Sequence, residues 1–555
     1  MTGQLDTEQR YKDAKNERDK HVQKVLASLS AKKVVVAGPG TGKTYLFKRV
    51  LESKGKSLTL TFVNSLVDDL SLDLYGLSEV KTLHGFARGL LRLIWNKANI
   101  NVFPGLSHLI AEDLRLLTGE KVNFNKIFHT RDDRNKHIEF YRRRKKYYDD
   151  SYGYSDIVFA AAKFLEEHPE SIPTYDQIVV DEFQDFNQLE VSLIDLLSQR
   201  SPVLIAGDDD QALYDFKDAD PKHIRARHDG NDPGYEAFNL PFCSRCTRVV
   251  VDAANDIVKN AKANGLLKGR IEKPYEYFDE KEKDGISDRH HTITYTQQFA
   301  PQFAWFIETK LGEMATSIRG RFTVLILSPT RDQAQKVATA LKKKGFQGVD
   351  FVEKTENDRN LLDGLKILLE NKSSNLGWRI VVGELMREKE DDLKSLLQKS
   401  NVERAPPIQT LVSPDHKKTT RQMLAVLRKV RNDQPIDEAG FSLLERIGAE
   451  PHKMGLAALS DELGSRGKTV SHGLRQLPIR ATTVQGSKGL SADVVFLTHF
   501  DDLFFINKAG ITDKDVCSFL VALTRAKRKV FLMSCQRKSP TFLRWIDGKR
   551  ISLAE

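Results

Sequence analysis

The sequence is poor in cysteine, with four in 555 residues: Cys243, Cys246, Cys517 and Cys535. So few thiols in so long a chain exclude a disulfide framework and point to a reducing compartment. The opening MTGQLDTEQRYKDAKNERDK lacks the apolar core of a secretory leader. No run approaches the roughly 18 apolar residues of a transmembrane helix. Low-complexity tracts and repeats of fixed short period are missing too. So is any recognisable nuclease constellation. The expectation is a soluble, cytoplasmic protein with no membrane partner.

What is present is ordinary globular composition, 40% hydrophobic and 29% charged. At roughly 150 residues per domain, three or four domains are expected. Lys plus Arg number 86 against 76 Asp plus Glu, a net charge of +10. A moderate positive excess suits a polyanion, because each phosphate neutralised by Lys or Arg releases counterions.

Apolar runs alternate with helical stretches. VVVAG (34–38), LTLTFV (58–63), QIVVDEF and VLIAGDDD read as strands, three of them leading into charged or glycine-rich loops. TVLILSPT (323–330), ATTVQ (481–485), VVFLTHF (494–500) and VFLMSC (530–535) read as strands of a second unit. The pattern predicts an α/β fold with parallel sheets covered on both faces, and ligands at the carboxyl ends of the strands. Residues 1–92 and 156–240 form the first unit, interrupted by a small basic helical insertion at 93–155. Residues 241–350 and 480–555 form the second, interrupted by a helical insertion at 351–479.

The sharpest motif is AGPGTGKT (37–44), between a strand and a helix. Glycines let backbone N–H groups close around phosphates at a helix N-terminus. Gly38, Gly40, Thr41 and Gly42 would form the cradle, Lys43 would reach the β- and γ-phosphates, and Thr44 would ligate Mg²⁺. The strict pattern asks for glycine where Ala37 stands. The second motif is DEFQD (181–185), after QIVV. Asp181 is assigned to the metal and Glu182 to the base that deprotonates water. Taken alone, two acids at a strand end would be a surface cap; the phosphate loop upstream reverses that reading.

AGPGTGKT, DEFQD and GDDDQALYDF (207–216) resemble the first three motifs of UvrD/Rep-like superfamily 1 helicases. LTFVN (60–64) and TLHGF (82–86) resemble their strand-contact motifs, and LPFCSRC (240–246) the fourth motif. TTVQGSKGL (482–490) and LVALTRAKRKVFL (520–532) resemble the fifth and sixth. The resemblance implies two RecA-like domains, each with a mainly helical insertion, with ATP between them. It implies a γ-phosphate sensor at Gln211, arginine fingers at Arg245 and Arg525, and a nucleotide contact at Gly489. Gln23 stands at about the spacing of the adenine-reading glutamine, with Gln9 as its rival. Strand contacts fall to Phe62, Asn64, His84, Tyr214 and Phe216, aromatic faces stacking on bases without regard to sequence.

Departures from the family pattern fall in the fourth and fifth motifs. Cys243-Ser244-Arg245 stands where the family has Asn-Tyr-Arg, and Gln485 and Ser491 where it has His and Glu. Phe216 replaces a Trp. These bear on base and sugar selectivity and leave the hydrolytic residues intact. One C-x-x-C pair, Cys243 and Cys246, is too little for a four-ligand metal site. YRRRKKYY (141–148) reads either as a solvated helix face with packed tyrosines or as a nucleic-acid contact.

The implied activity is an ATP- and Mg²⁺-dependent DNA helicase or translocase, moving 3′ to 5′ on single-stranded or tailed duplex DNA, in a setting such as DNA repair. The alternative is a DNA-stimulated ATPase that serves as the regulatory subunit of a partner nuclease or defence effector without unwinding alone. RNA as the track is a third reading, which the 2′-hydroxyl would decide.

Overall fold

The computed structural model describes residues 2–61, 64–213, 217–232, 234–318, 320–351, 361–402, 404–432, 434–447 and 472–554. The chain folds into two compact units. One comprises Met1–Phe86, Leu165–Glu353 and Lys468–Glu555, and the other Ala87–Phe164 and Lys354–Gly467.

The first unit holds two parallel sheets flanked by helices. Six strands make the first sheet: β1 (Lys32–Ala37), β2 (Ser57–Thr61), β3 (Glu79–Thr82), β4 (Gln177–Val180), β5 (Val203–Gly207) and β6 (Glu236–Leu240). Their order is β3-β2-β4-β5-β1-β6, every pairing parallel. β2, β4 and β5 are buried along their whole length, as a sheet covered on both faces requires. β3 and β6, at the two edges, carry more polar and exposed residues.

A two-residue parallel pairing joins β7 (Phe242–Cys243) to β8 (Glu276–Tyr277). The second sheet contains β9 (Ile293–Gln297), β10 (Val324–Ser328), β11 (Val349–Phe351), β12 (Ile479–Thr483), β13 (Ala492–Leu497), β14 (Ala526–Ser534) and β15 (Ile551–Leu553). Its order is β11-β12-β10-β13-β14-β9-β15, again all parallel. Phe496 of β13 stacks on Phe531 of β14 with ring centroids 4.7 Å apart.

The polar helix Thr2–Ala27 is held to the first sheet by a narrow stripe. Val22 and Val25 are buried in the same apolar cluster as Val35, Leu46 and Phe47.

The second unit is helical among its described residues. It spans 93–155 and most of 351–479, the segments read from sequence as insertions, but the stretch from Lys468 onward falls in the first unit. A buried ionic cluster ties the two inserted segments together. The Asp113 carboxylate accepts from Arg144 Nε and Nη2 at 3.0 and 2.8 Å, from Tyr148 OH, and from Arg379 Nε at 2.8 Å. Arg144 Nη1 also donates to the Ser400 carbonyl at 3.0 Å. Asp113, Arg144 and Arg379 have side chains 0–1% exposed. Asp113 is held below the usual carboxylate range: burial alone would raise it, and the two guanidinium groups outweigh burial. Three of the eight residues of YRRRKKYY are therefore structural. Tyr141, Arg144 and Tyr148 are buried, whereas Arg142, Arg143 and Lys146 are not.

Candidate nucleotide site

β1 runs directly into the glycine loop, and the helix Lys43–Leu51 starts at its end. Leu46, Phe47, Val50 and Leu51 bury one face of that helix and fix its N-terminus at the strand end. Ala37 still belongs to β1, in register with Leu240, so extended backbone accommodates its Cβ. Gly40 and Gly42 adopt φ of 73° and 96°. At Gly40 a second reason adds to the conformation: a Cβ there would lie 2.3 Å from Cβ of Arg245. The Tyr275 ring covers Gly38, and its hydroxyl donates to the Pro39 carbonyl at 3.0 Å. Thr41 Oγ1 closes the loop by donating to the Gly38 carbonyl at 2.9 Å. Free backbone N–H groups at a helix start, with positive dipole, make a phosphate cradle.

β4 ends at Val180, and the two acids follow. Asp181 Oδ1 accepts the Glu182 N–H at 2.9 Å. Glu182 has φ 54°, left-handed backbone that costs a non-glycine residue roughly 1–2 kcal/mol and is tolerated where geometry serves a site. Lys43 Nζ lies 3.1 Å from Glu182 Oε1 and 3.9 Å from Asp181 Oδ1. Burial, opposed by the Lys43 ammonium, pushes the Asp181 carboxyl up to about 6. For Glu182 the balance goes the other way. Burial is outweighed by Lys43 and Lys488, and its carboxyl sits far below the ordinary range. Two carboxylates thus share one ammonium, an excess of negative charge that suits a divalent cation. Thr44, in the first turn of the helix, supplies a hydroxyl of the kind such a hard cation takes.

A line of hydrogen bonds leads from these acids to the second sheet. Gln184 Nε2 donates to Glu182 Oε2 at 2.6 Å, and its Oε1 accepts the Asp208 N–H at 2.9 Å. Gln211 Nε2 donates to Asp208 Oδ2 at 2.8 Å. Gln211 Oε1 accepts from Arg525 Nη2 at 2.8 Å. Lys488 Nζ donates to the Gln211 carbonyl at 2.5 Å and pairs with Asp185. Burial pushes Asp185 up to about 7 despite Lys488.

Arg525 is anchored by the Val521 and Leu490 carbonyls at 3.0 and 3.3 Å. Burial first, and the Arg245 guanidinium second, lower it to about 10. Arg245 makes no hydrogen bond or ion pair among the described residues. Two guanidinium groups converging beside a phosphate loop form a site that wants an anion.

The acids after β5 have a different fate. Asp208, Asp209 and Asp210 have carboxylates close enough to hold a cation. Lys273 fills that role, its Nζ 2.9, 2.5 and 2.9 Å from the three.

The structure thus brings together Lys43, Asp181, Glu182, Gln211, Arg245 and Arg525. Gly489 follows Lys488 with φ 80°. Gln23 is not brought in. It is exposed on the helix Thr2–Ala27, while Arg18, His21 and Val22 of that helix line the cavity beside Thr41 and Gly42. Gln9 bonds to Asp13 and lines a separate groove. Phe62, Tyr214 and Phe216 lie outside the described residues, as does the side chain of Asn64, which opens the helix Asn64–Asp73. His84 Nε2 sits 3.9 Å from Glu190, which completes a capping box with Asn187.

Sequence reasoning missed Gln184, Asp185 and Lys488 as working parts, although all three lie inside motifs it had singled out. It missed Tyr275 and Lys273 outright, since neither sits in a motif. Cys243 and Cys246 are packed inside the protein: Cys243 Sγ accepts from the Tyr275 hydroxyl at 3.3 Å, and Cys246 Sγ donates to the Thr524 carbonyl at 3.5 Å.

Residues 106–230 match the family model described as the UvrD/REP helicase N-terminal domain. The chain is 29% identical over 167 residues to the "Exonuclease/helicase subunit RexA" of Lactococcus lactis subsp. cremoris strain MG1363. That alignment covers 26% of this chain and 14% of that protein. It is 35% identical over 167 residues, with the same coverage, to an ATP-dependent helicase/nuclease subunit of Lactococcus lactis subsp. lactis strain IL1403. It is 30% identical over 112 residues to "ATP-dependent DNA helicase PcrA" of Staphylococcus aureus strain Mu50, over 19% of this chain and 15% of that protein. The chain therefore spans only about a seventh of the length of these curated relatives.

Proposed function

We propose that the chain, which resembles the UvrD/Rep-like helicases over residues 106–230, hydrolyses ATP to drive itself along single-stranded DNA, 3′ to 5′, separating duplex strands. The carrying observation is the unbroken line of contacts Lys43–Glu182–Gln184–Asp208–Gln211–Arg525. It runs from the phosphate loop on the first sheet to a residue just before β14 of the second. A change at the phosphates therefore has a physical route to the relative position of the two sheets.

Lys43 Nζ lies between the Glu182 and Asp181 carboxylates, within reach of phosphate oxygens held in the loop. Phosphate oxygens arriving in the loop draw it away. Glu182 then loses the ammonium that depresses its basicity, while Gln184 keeps its carboxylate aimed. A glutamate so released is a general base for the attacking water. Thr44 and Asp181 would hold Mg²⁺, which neutralises charge on the phosphates. Arg245 and Arg525 supply positive charge where it builds up in the transition state. Arg525 donates to Gln211 and keeps further N–H groups that can turn to the phosphates, so it links Gln211 to the nucleotide.

A second reading draws on relatives whose names join a helicase to a nuclease or exonuclease. In it the chain is a DNA-stimulated ATPase that regulates a partner nuclease and does not unwind alone. Strand separation on duplexes with a 3′ or a 5′ single-stranded tail decides between the two. Unwinding of the 3′-tailed duplex supports the motor. ATP hydrolysis without unwinding of either favours the regulatory role, and unwinding from the 5′ tail alone overturns the polarity.

A further inference from the structure

Cys243 and Cys246 flank Arg245 on one short turn, and hydrolysis as proposed above uses neither thiol. Cys243 ends β7, and Cys246 stands just before Thr247, which opens the helix Arg248–Ala263. The turn brings the Cys246 backbone N–H onto Cys243 Sγ at 3.4 Å. The two thiols also share a hydrogen bond with each other. Each sulfur has a further partner. Cys243 Sγ accepts from the Tyr275 hydroxyl at 3.3 Å, and Cys246 Sγ donates to the Thr524 carbonyl at 3.5 Å.

These surroundings divide the pair into a thiolate and a thiol. Burial alone would raise Cys243. The hydrogen bond from Cys246, the Lys283 ammonium and the Tyr275 hydroxyl outweigh it and hold Cys243 below the ordinary thiol range. Lys283 Nζ donates to the Cys243 carbonyl, which keeps the ammonium beside that residue. Cys246 is raised, by its hydrogen bond to Cys243 first and by burial second. A thiolate is the nucleophile that reacts with peroxides, and an adjacent thiol resolves the product. Both sulfurs are buried. A cavity of about 30 Å³ lies against their partners, Tyr275 and Thr524, and has room for a molecule little larger than water. Cys517 and Cys535 lack this activation. Burial raises Cys517, and burial with Asp501 pushes Cys535 up to about 12.

We propose that Cys243 and Cys246 are a dithiol pair oxidised by small hydroperoxides, and that their disulfide switches hydrolysis off by displacing Arg245. The Cys243 thiolate attacks one peroxide oxygen, the O–O bond breaks, and hydroxide leaves a sulfenic acid behind. Cys246 sulfur then attacks Cys243 sulfur and the S–O bond breaks. The departing hydroxide takes the Cys246 proton and leaves as water. Two electrons pass from the sulfurs to the peroxide. The consequence follows from where the turn is docked. Ser244 donates to the Gly40 carbonyl through its N–H at 2.9 Å and its hydroxyl at 3.2 Å. Gly40 is packed against Arg245 Cβ. Drawing the sulfurs to a bond of about 2 Å closes a ring through Ser244 and Arg245, so the turn must rearrange on the phosphate loop. The Thr524 carbonyl, next to Arg525, loses its donor. Lys43, Asp181 and Glu182 are no part of this turn. Oxidation therefore removes transition-state charge stabilisation and spares nucleotide binding. The inference rests on the nucleotide-hydrolysing reading of the phosphate loop.

The test treats the reduced full chain, freed of reductant, with a small excess of hydrogen peroxide. Intact mass and non-reducing peptide mapping read the disulfide. ATP hydrolysis and equilibrium binding of a fluorescent ATP analogue read its consequence, and melting temperatures confirm folding. The wild type is expected to lose two hydrogens and gain a Cys243–Cys246 link. Its kcat falls by about tenfold or more while analogue binding is nearly unchanged, and dithiothreitol restores the rate. Cys246→Ser, whose hydroxyl keeps a donor for the Thr524 carbonyl, forms no link and holds a sulfenic acid on Cys243 that dimedone labels. Cys243→Ser takes no label. If the reduced chain hydrolyses ATP and peroxide forms no link, or the linked chain hydrolyses at the reduced rate, the switch is overturned and the ATPase reading stands. If the reduced chain neither binds nor hydrolyses ATP, both fall, whether or not the link forms.

Discussion

Arg525 Nη2 donates to Gln211 Oε1 at 2.8 Å, joining the segment that follows β5 of the first sheet to the one that precedes β14 of the second. Both side chains are buried, and each has further partners that hold it in place. The contact ties the carboxyl end of one sheet to the other within the first unit.

Replacing the two residues is therefore expected to have different effects. Arg525→Ala is expected to lower kcat by on the order of 10³-fold, because an arginine finger acts on transition-state charge. Gln211→Ala is expected to keep a basal rate and lose most of the stimulation by DNA. Steady-state rates with and without single-stranded DNA read both effects.

Glu182→Gln is expected to bind nucleotide with nearly unchanged affinity and to hydrolyse it about 10²–10⁴-fold more slowly, the range of a lost general base. Single-turnover kinetics separate the two steps. Asp181→Asn, or chelation of Mg²⁺ with EDTA, is expected to abolish turnover as well.

Gly40→Ala puts a methyl group 2.3 Å from Cβ of Arg245 on backbone that disfavours any side chain. Either the phosphate loop or Arg245 must move. The expected result is loss of hydrolysis with a melting temperature close to wild type, which calorimetry and rate measurements check together.

In the second unit, Asp113→Ala leaves Arg144 and Arg379 as buried cations without their shared carboxylate. Breaking such a cluster from one side typically costs about 3–5 kcal/mol. Urea unfolding, followed by tryptophan fluorescence, is expected to show an earlier transition of about that size.

How far the fold was legible in sequence depended on where a strand sits. β1, β2, β4, β5, β10, β12, β13 and β14 announced themselves, because strands buried on both faces need continuous aliphatic or β-branched runs. β3 and β6 did not. Each flanks solvent at a sheet edge, and sequences such as EVKT and EAFNL carry the polar residues that edges favour. The joining of the two inserted segments was illegible for another reason. Asp113 and Arg379 are 266 residues apart, and nothing local to either marks the other as a partner.

At the site, the glycine loop and the two acids stood out in sequence because phosphate and metal chemistry need those residue types after a strand, whereas Gln211, Arg245 and Arg525 came only from the resemblance to the helicase motifs. The glutamine assigned to the base was not readable, since a helix with a buried stripe as narrow as Val22 and Val25 leaves its rotation undetermined by pattern. The structure turns Arg18 and His21, rather than Gln23, toward Gly42.

The most direct test of the account is steady-state ATP hydrolysis with and without single-stranded DNA, for the wild type and for Lys43→Ala. Strong stimulation by DNA in the wild type, absent in the variant, is the expected result. Hydrolysis that ignores DNA, or that survives loss of Lys43, would contradict the assignment of this site as the engine of a DNA motor.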